Sequence, residues 1–245
     1  MKTYRADLHI HTVLSPCGDL EMSPENIVAA AKAKNLDIIG ITDHNSTRHC
    51  RLISKLAGEQ GIFVLCGAEI TSEEEVHCLA FMPDFAALDK LQDYLDAHLP
   101  DIKNDVNKFG YQVQVDEEEN IIYEEEKLLI SAIDQNIDEI ADFVQVHGGI
   151  FIPAHINRPM FGLISQLGFV PPDLRYDALE ISRHVTREGF LAEHPYLASS
   201  VIIRTSDAHF PENLGEVFTT FELEAPSFDE IRMAMKNNRG RKVIP

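Results

Sequence analysis

The residues most able to do chemistry are histidines and acids placed where short apolar runs end. The first run closes with Asp7-Leu8-His9-Ile10-His11. Alternate residues of an extended strand point to one side, so Asp7, His9 and His11 share a face. Two imidazoles on one face supply half of a divalent-metal site. A His-x-His pair alone is weak evidence, but the theme repeats. Later runs end in Asp43-His44, in Glu69, in Pro153-Ala154-His155 and in Ser206-Asp207-Ala208-His209, and one begins Val76-His77. Glu69 directly follows Leu65-Cys66-Gly67-Ala68, where a carboxylate is a poor choice for a packed core. One histidine at a strand end is ordinarily structural. This many acids and imidazoles at successive strand ends point to a cluster that holds cations.

Elements that would position them follow from pattern and punctuation. Strands are expected at Tyr4–Ile10, Leu36–Thr42, Ile62–Cys66, Val76–Phe81, Ile150–Pro153, Ala178–Ser182, Ser200–Ser206 and Val217–Leu223. Helices are expected between them, the first opened by Ser23 as cap and Pro24 at the first helical position. Such alternation indicates parallel strands covered by helices. About seven units of this kind close a barrel, whose active site lies at the C-terminal ends of its strands. An open doubly wound sheet has less support, because the polar residues recur at many strand ends rather than at one switch point. Residues 100–130 are highly charged and weakly periodic, and read as an insertion.

At 245 residues the chain can form one large barrel-sized unit. No apolar run approaches the roughly 20 residues of a membrane span. The N-terminus lacks a signal-peptide core, and Cys17, Cys50, Cys66 and Cys78 are scattered without pairing motifs. A cytoplasmic protein with reduced thiols and no membrane partner is the expectation. Net charge is −19, with no basic block to offset it. Long nucleic acids are therefore expected to be repelled, leaving a small phosphorylated molecule as partner. The runs Asp116–Glu119 and Glu124–Glu126 read as a solvated face.

The motifs Asp7-Leu8-His9-Ile10-His11-Thr12, Thr42-Asp43-His44, the Glu69/His77 pair, Pro153-Ala154-His155 and Ser206-Asp207-Ala208-His209 resemble, in order, those of the polymerase and histidinol phosphatase (PHP) domain family. The resemblance implies a distorted (β/α)7 barrel as a single domain over 1–245, a trinuclear metal centre and phosphoester hydrolysis. It further implies that His9, His11, Glu69 and Asp207 hold one ion and carry catalysis. Glu69 would bridge to a second ion held by His77 and His155, and Asp19, His44 and His209 would hold a third. Asp19 is preferred to Cys17 as a shifted ligand, although a thiolate binds zinc well.

The mixed imidazole and carboxylate donors suit zinc, manganese or iron better than magnesium. Two or three such ions would lower the pKa of a bridging water so that hydroxide attacks phosphorus. Arg158, Arg183 and His184 are the candidates to hold the substrate phosphate, since guanidinium forks match its oxygens. Asp7 and Asp43 are expected to orient ligand imidazoles. His49, His98, His147 and His194 fall in or beside helices and are expected to be structural. The competing functions are C–N hydrolysis in an amidohydrolase-like barrel and a non-catalytic metal-binding regulatory domain. Against the first, no lysine stands at any ligand-bearing strand end.

Overall fold

The computed structural model of the chain describes residues 1–244. Its first half runs β1 (Lys2–Ile10), α1 (Pro24–Ala33), β2 (Ile38–Ile41), α2 (Cys50–Glu59), β3 (Phe63–Thr71), β4 (His77–Phe81), α3 (Phe85–His98), α4 (Val106–Phe109), β5 (Val113–Val115) and β6 (Ile121–Glu124). The second half runs α5 (Ile137–Val146), β7 (Ile150–Pro153), α6 (Leu163–Leu167), β8 (Leu179–Ile181), α7 (Arg187–Glu193), β9 (Ile202–Arg204), β10 (Thr219–Leu223), α8 (Phe228–Met235) and β11 (Lys242–Ile244). Local chemistry starts the helices where the sequence indicates. Ser23 accepts from the Asn26 N–H ahead of Pro24, Asp84 caps α3, and Asn136 with Glu139 forms a reciprocal capping box on α5. Among the described residues no helix is long and apolar enough to cross a membrane.

The principal sheet has seven strands in the order β11-β10-β1-β2-β3-β4-β7. It is mixed rather than parallel throughout. β1, β2 and β3 pair in parallel, but β4 is antiparallel to both β3 and β7. Only Ser72–Val76 joins β3 to β4, too short a link for a crossover helix, so the two make a hairpin. β10 and β11 extend the sheet on the far side of β1, also antiparallel. β8 and β9 form their own parallel pair.

The sheet curls into a half-barrel and is drawn toward closure by isolated bonds. Asp177 N–H donates to Phe151 O and Ile156 N–H to Glu180 O, both at 2.9 Å, which ties β7 to β8. Ala208 N–H donates to His9 O at 3.1 Å and His11 N–H to Ala208 O at 3.0 Å, which ties the segment after β9 to β1. The expected distorted (β/α)7 barrel is thus met in its α/β character, with a curled, mixed sheet in place of seven regular parallel units.

Strand periodicity divides the core in two. Leu65, Leu79, Phe81, Ile152 and Phe221 pack with Phe228 and Ile231 of α8. Residues of the opposite parity, such as Val64, Cys66, Cys78 and Ala80, pack with Ile27, Ile53, Leu91 and Ile140 from helices α1, α2, α3 and α5. The charged insertion is more ordered than its sequence suggests. Gln112, fully buried, donates to Glu125 O and Lys127 O and accepts from Leu129 N–H, holding β5 and β6 to the body. Most of its acids are solvated as expected, but Glu125 is buried and faces Arg48 at 3.3 Å.

β1 and β2 approach so closely that a Cβ on Gly40 would lie 2.5 Å from the Leu8 carbonyl oxygen. Gly40→Ala should therefore lower stability by about 1–3 kcal/mol, as expected for an overpacked core. Chemical denaturation checks this, and an unchanged midpoint would contradict the close approach.

Candidate metal centre

One rim of the curled sheet collects the chemistry. β1, β2 and β3 bring His9, His11, His44 and Glu69 to their C-terminal ends. β4 runs the other way, so its first residue, His77, lies opposite Thr71 on that rim. β7 reverses again and delivers His155 just beyond its end.

At the centre is Glu69, 1% exposed. Its Oε1 lies 2.9 Å from His77 Nδ1, 3.1 Å from His155 Nε2 and 3.3 Å from His9 Nε2. Its Oε2 lies 3.1 Å from His44 Nδ1 and 3.3 Å from His11 Nε2. Asp207 Oδ1 adds contacts to His9 and His11 Nε2 at 3.4 and 3.5 Å.

Hydrogen bonds behind the imidazoles set their tautomers. His9 Nδ1 donates to Glu180 Oε2 at 3.0 Å. The Ser15 hydroxyl donates to Asp43 Oδ1 at 2.7 Å, so it accepts from His11 Nδ1 at 2.9 Å. Both rings thereby turn Nε2 toward the carboxylates, and the two Nε2 atoms stand 3.2 Å apart. Two lone pairs so placed repel unless a proton or a cation lies between them and the acids. In addition, His44 Nδ1, His77 Nε2 and His155 Nδ1 are buried without a hydrogen-bond partner. Of these, His44 Nδ1 stands beside Glu69 Oε2, and an unpartnered buried nitrogen next to an ionised carboxylate fits a divalent cation.

The electrostatics agree. Burial opposes charge on His9, but Glu180, Glu69 and Asp207 outweigh it and hold the ring well above the ordinary histidine range. Against the same burial, hydrogen bonds to Asp207 and Glu69 push His11 up to about 9. Burial holds His44 and His77 below their ordinary value and His209 down to about 4. Burial favours the protonated acids, yet the surrounding imidazoles keep Glu69 and Asp207 well below the carboxylate range. At neutral pH the site therefore offers ionised acids and neutral imidazoles at His44, His77 and His209, while His9 and His11 carry protons that a bound cation would displace.

The structure brings together nearly all of the residues singled out in the sequence. His9, His11 and Glu69 form one group with ligand atoms within 4.8 Å of one another, and His44, Glu69 and His77 form another. A third contains His11, His44 and His209, with Cys17 in place of Asp19. The Asp19 carboxylate instead accepts from Glu21 N–H at 2.8 Å within its own turn. His155 and Asp207 adopt left-handed backbone, with φ of 28° and 52°. Such conformations cost about 1–3 kcal/mol each and persist where the surroundings fix them.

A cavity of about 260 Å³ opens beside Asp207, His209 and His155, and Arg158, Arg183 and His184 line it. Arg158 Nη1 donates to Asp207 Oδ2 at 2.7 Å, while Arg183 Nη1 is buried, makes no hydrogen bond and has Glu216 Oε2 at 3.6 Å.

Two supporting roles differ from expectation. Asp7 touches no ligand imidazole. It accepts from Ser206 N–H, Ser206 Oγ and Gly215 N–H, fixing the segment that carries Asp207, and burial pushes its carboxyl up to about 6. Asp43 acts on His11 only through Ser15. The acid that orients His9 is Glu180, which the sequence reading missed. Its signal was present: an acid inside the apolar run Ala178–Ile181, as with Glu69. The structural readings of His49 and His98 agree with their contacts. His49 lies between Thr12 Oγ1 and Val115 N–H, and His98 faces Asp134.

The sequence matches the PHP domain over residues 7–148 and the PHP-associated segment over residues 205–239. The chain belongs to the PHP domain family. It is 41% identical over 81 residues to the protein MJ1587 of Methanocaldococcus jannaschii and 25% identical over its whole length to YqxK of Bacillus subtilis. The alignments cover 29% and 100% of this chain, and 47% and 65% of those proteins. Among solved structures, the lesion-specific endonuclease Q of Pyrococcus furiosus superposes with a TM-score of 0.77 at 21% identity, over 99% of this chain and 58% of that one. A protein of Bifidobacterium adolescentis assigned as a metal-dependent phosphoesterase superposes with a TM-score of 0.64 at 19% identity, over 95% and 96% of the two chains. This PHP chain thus spans about half to two-thirds of the length of MJ1587, YqxK and endonuclease Q.

One expectation is overturned. Endonuclease Q has also been seen with a 27-mer DNA duplex whose abasic lesion lies at its active site, and that structure superposes with a TM-score of 0.73 at 21% identity, over 98% of this chain and 58% of that one. The argument that a net charge of −19 excludes long nucleic acids therefore fails. Net charge sums a whole surface, whereas binding responds to the field at the site, and Arg158 and Arg183 border the cavity here.

Glu180→Gln should keep the fold while weakening divalent-metal affinity about 10–100-fold, the usual effect of removing an acid that orients a ligand imidazole. Competition with a chromophoric chelator measures it, and unchanged affinity would remove Glu180 from the site.

Proposed function

We propose that this PHP domain is a metal-dependent phosphoesterase that hydrolyses phosphodiester bonds in a nucleic acid, working as one unit over 1–245 in the reducing cytoplasm. The observation that carries the reading is the convergence of five imidazoles on Glu69, two of them shared with Asp207, next to a cavity bordered by two guanidinium groups. His9, His11, Glu69 and Asp207 would hold one ion, Glu69, His77 and His155 a second, and His44 and His209 a third. Zinc, manganese and iron are the ions that suit these donors. When bound, such ions supply a nucleophile from water at neutral pH and neutralise phosphoryl charge.

The chain's own residues do the rest. Glu180 and Ser15 fix the rings of His9 and His11, so the donor set needs little rearrangement. Arg183, whose Nη1 makes no hydrogen bond and faces Glu216 Oε2 only at 3.6 Å, would bind a non-bridging phosphate oxygen, with Arg158 and His184 beside it. Endonuclease Q with its lesion-bearing duplex is the precedent for the substrate class. The four free cysteines fit a reducing compartment. Amidohydrolase-like chemistry has less support, since no lysine belongs to the cluster.

The test is an assay of metal-stripped and reloaded protein on an abasic-site duplex, an undamaged duplex, single-stranded DNA and small phosphomonoesters. Activity should require metal and favour a nucleic acid. His9→Ala or Asp207→Ala should lower kcat/KM by at least about 10²–10³-fold, in line with the loss of groups that stabilise transition-state charge. His98→Ala should change it little. Chelator-resistant activity would contradict the metal reading, and turnover confined to monoesters would contradict the substrate.

A further inference from the structure

We propose that Cys17 is a thiolate ligand which joins His44 and His209 at the third ion, beside His11, and makes that site selective for zinc over manganese. The inference rests on the reading of the cluster as a metal centre.

Cys17 Sγ and one ring nitrogen from each of the three histidines all lie within 4.8 Å of one another. His44 is 2% exposed, and its Nδ1 makes no hydrogen bond although Glu69 Oε2 lies 3.1 Å away, so the cluster contains a buried nitrogen able to donate to a cation. The loop that carries Cys17 is held by its backbone. Ser15 N–H donates to Thr12 O at 3.1 Å and Gly18 N–H to Ser15 O at 2.9 Å. Asp19 N–H donates to His209 O at 2.9 Å, which ties this loop to the one bearing His209. Gly18 is required, because a Cβ there would strike the Thr12 carbonyl oxygen. In the same turn the Asp19 carboxylate accepts from Glu21 N–H, and Asp19 is not among the residues grouped with His11, His44 and His209.

The remaining cysteines, Cys50, Cys66 and Cys78, are buried, and their Sγ atoms face backbone carbonyls. Cys17 alone is placed to bind. Coordination by sulfur requires loss of the thiol proton to solvent, and a thiolate among imidazoles favours zinc over the harder manganese ion.

Titration of the metal-stripped full chain with cobalt(II), in reductant and without oxygen, tests this. Wild type should develop a near-ultraviolet sulfur-to-cobalt charge-transfer band. Cys17→Ser should lose the band and bind zinc at that site at least about tenfold more weakly, the lower bound set by the effect of outer-shell changes. Its manganese binding should change much less, and circular dichroism should show the fold intact. Asp19→Asn should keep the band. Cobalt bound without the band, a band that survives in Cys17→Ser, or one lost in Asp19→Asn would overturn the assignment while leaving the metal centre standing. No cobalt binding at all would defeat the metal reading itself, and this inference with it.

Discussion

A carboxylate 1% exposed and ringed by five imidazoles is the constraint on which the rest of this molecule depends. Burying an ionised acid carries a desolvation penalty of several kcal/mol, so Glu69 must be met by positive charge. Protons on His9 and His11 can supply it, and divalent cations can supply it better, because His44, His77 and His209 are held neutral with lone pairs to donate. Except for His9 and His11, which β1 supplies together, each imidazole reaches Glu69 from a different part of the chain. The centre therefore exists only when the sheet has curled.

The mixed topology serves that requirement. In a purely parallel barrel, His77 at the start of its strand would sit at the opposite end from Glu69. The short β3–β4 link reverses the strand and brings His77 to the same rim, opposite Thr71. The bonds that draw the sheet toward closure occur beside the site. Ala208 is bonded to His9 and His11 on one side, and Ile156 to Glu180 on the other. His155 and Asp207 adjoin these anchored residues, which explains how their left-handed backbone is maintained. The same backbone bonds close the sheet and hold the site.

Much of this was legible in the sequence, for reasons of residue chemistry. Apolar runs of strand length marked most strands, Ser23-Pro24 marked the first helix start, and acids and histidines at run ends marked the rim. Pairing direction was not legible, because a strand reads alike in either orientation and only the length of the Ser72–Val76 link hints at the hairpin. β11 was missed, since Lys242–Ile244 is short and follows charged residues. Residues 100–130 read only as a charged insertion, because contacts such as those of the buried Gln112 amide, which help to order them, leave no periodic trace. Glu180 was passed over within an apolar run, and Asp7 was given an imidazole when its partners are Ser206 and Gly215. The inference from net charge failed for a different reason. The acids at Glu117–Glu119 project to solvent from the β5–β6 hairpin, whereas the cavity beside Asp207 is bordered by Arg158, Arg183 and His184.

The central claim is that residues remote in sequence converge on Glu69 to hold cations. Anomalous-difference diffraction from metal-loaded crystals, recorded on both sides of the metal's absorption edge, tests it most directly. The account expects at least two peaks within coordination distance of the cluster, one between His9, His11 and Asp207 and one beside His77 and His155, each also touching Glu69. Peaks confined to surface carboxylates, with Glu69 still bonded only to imidazoles, would contradict it.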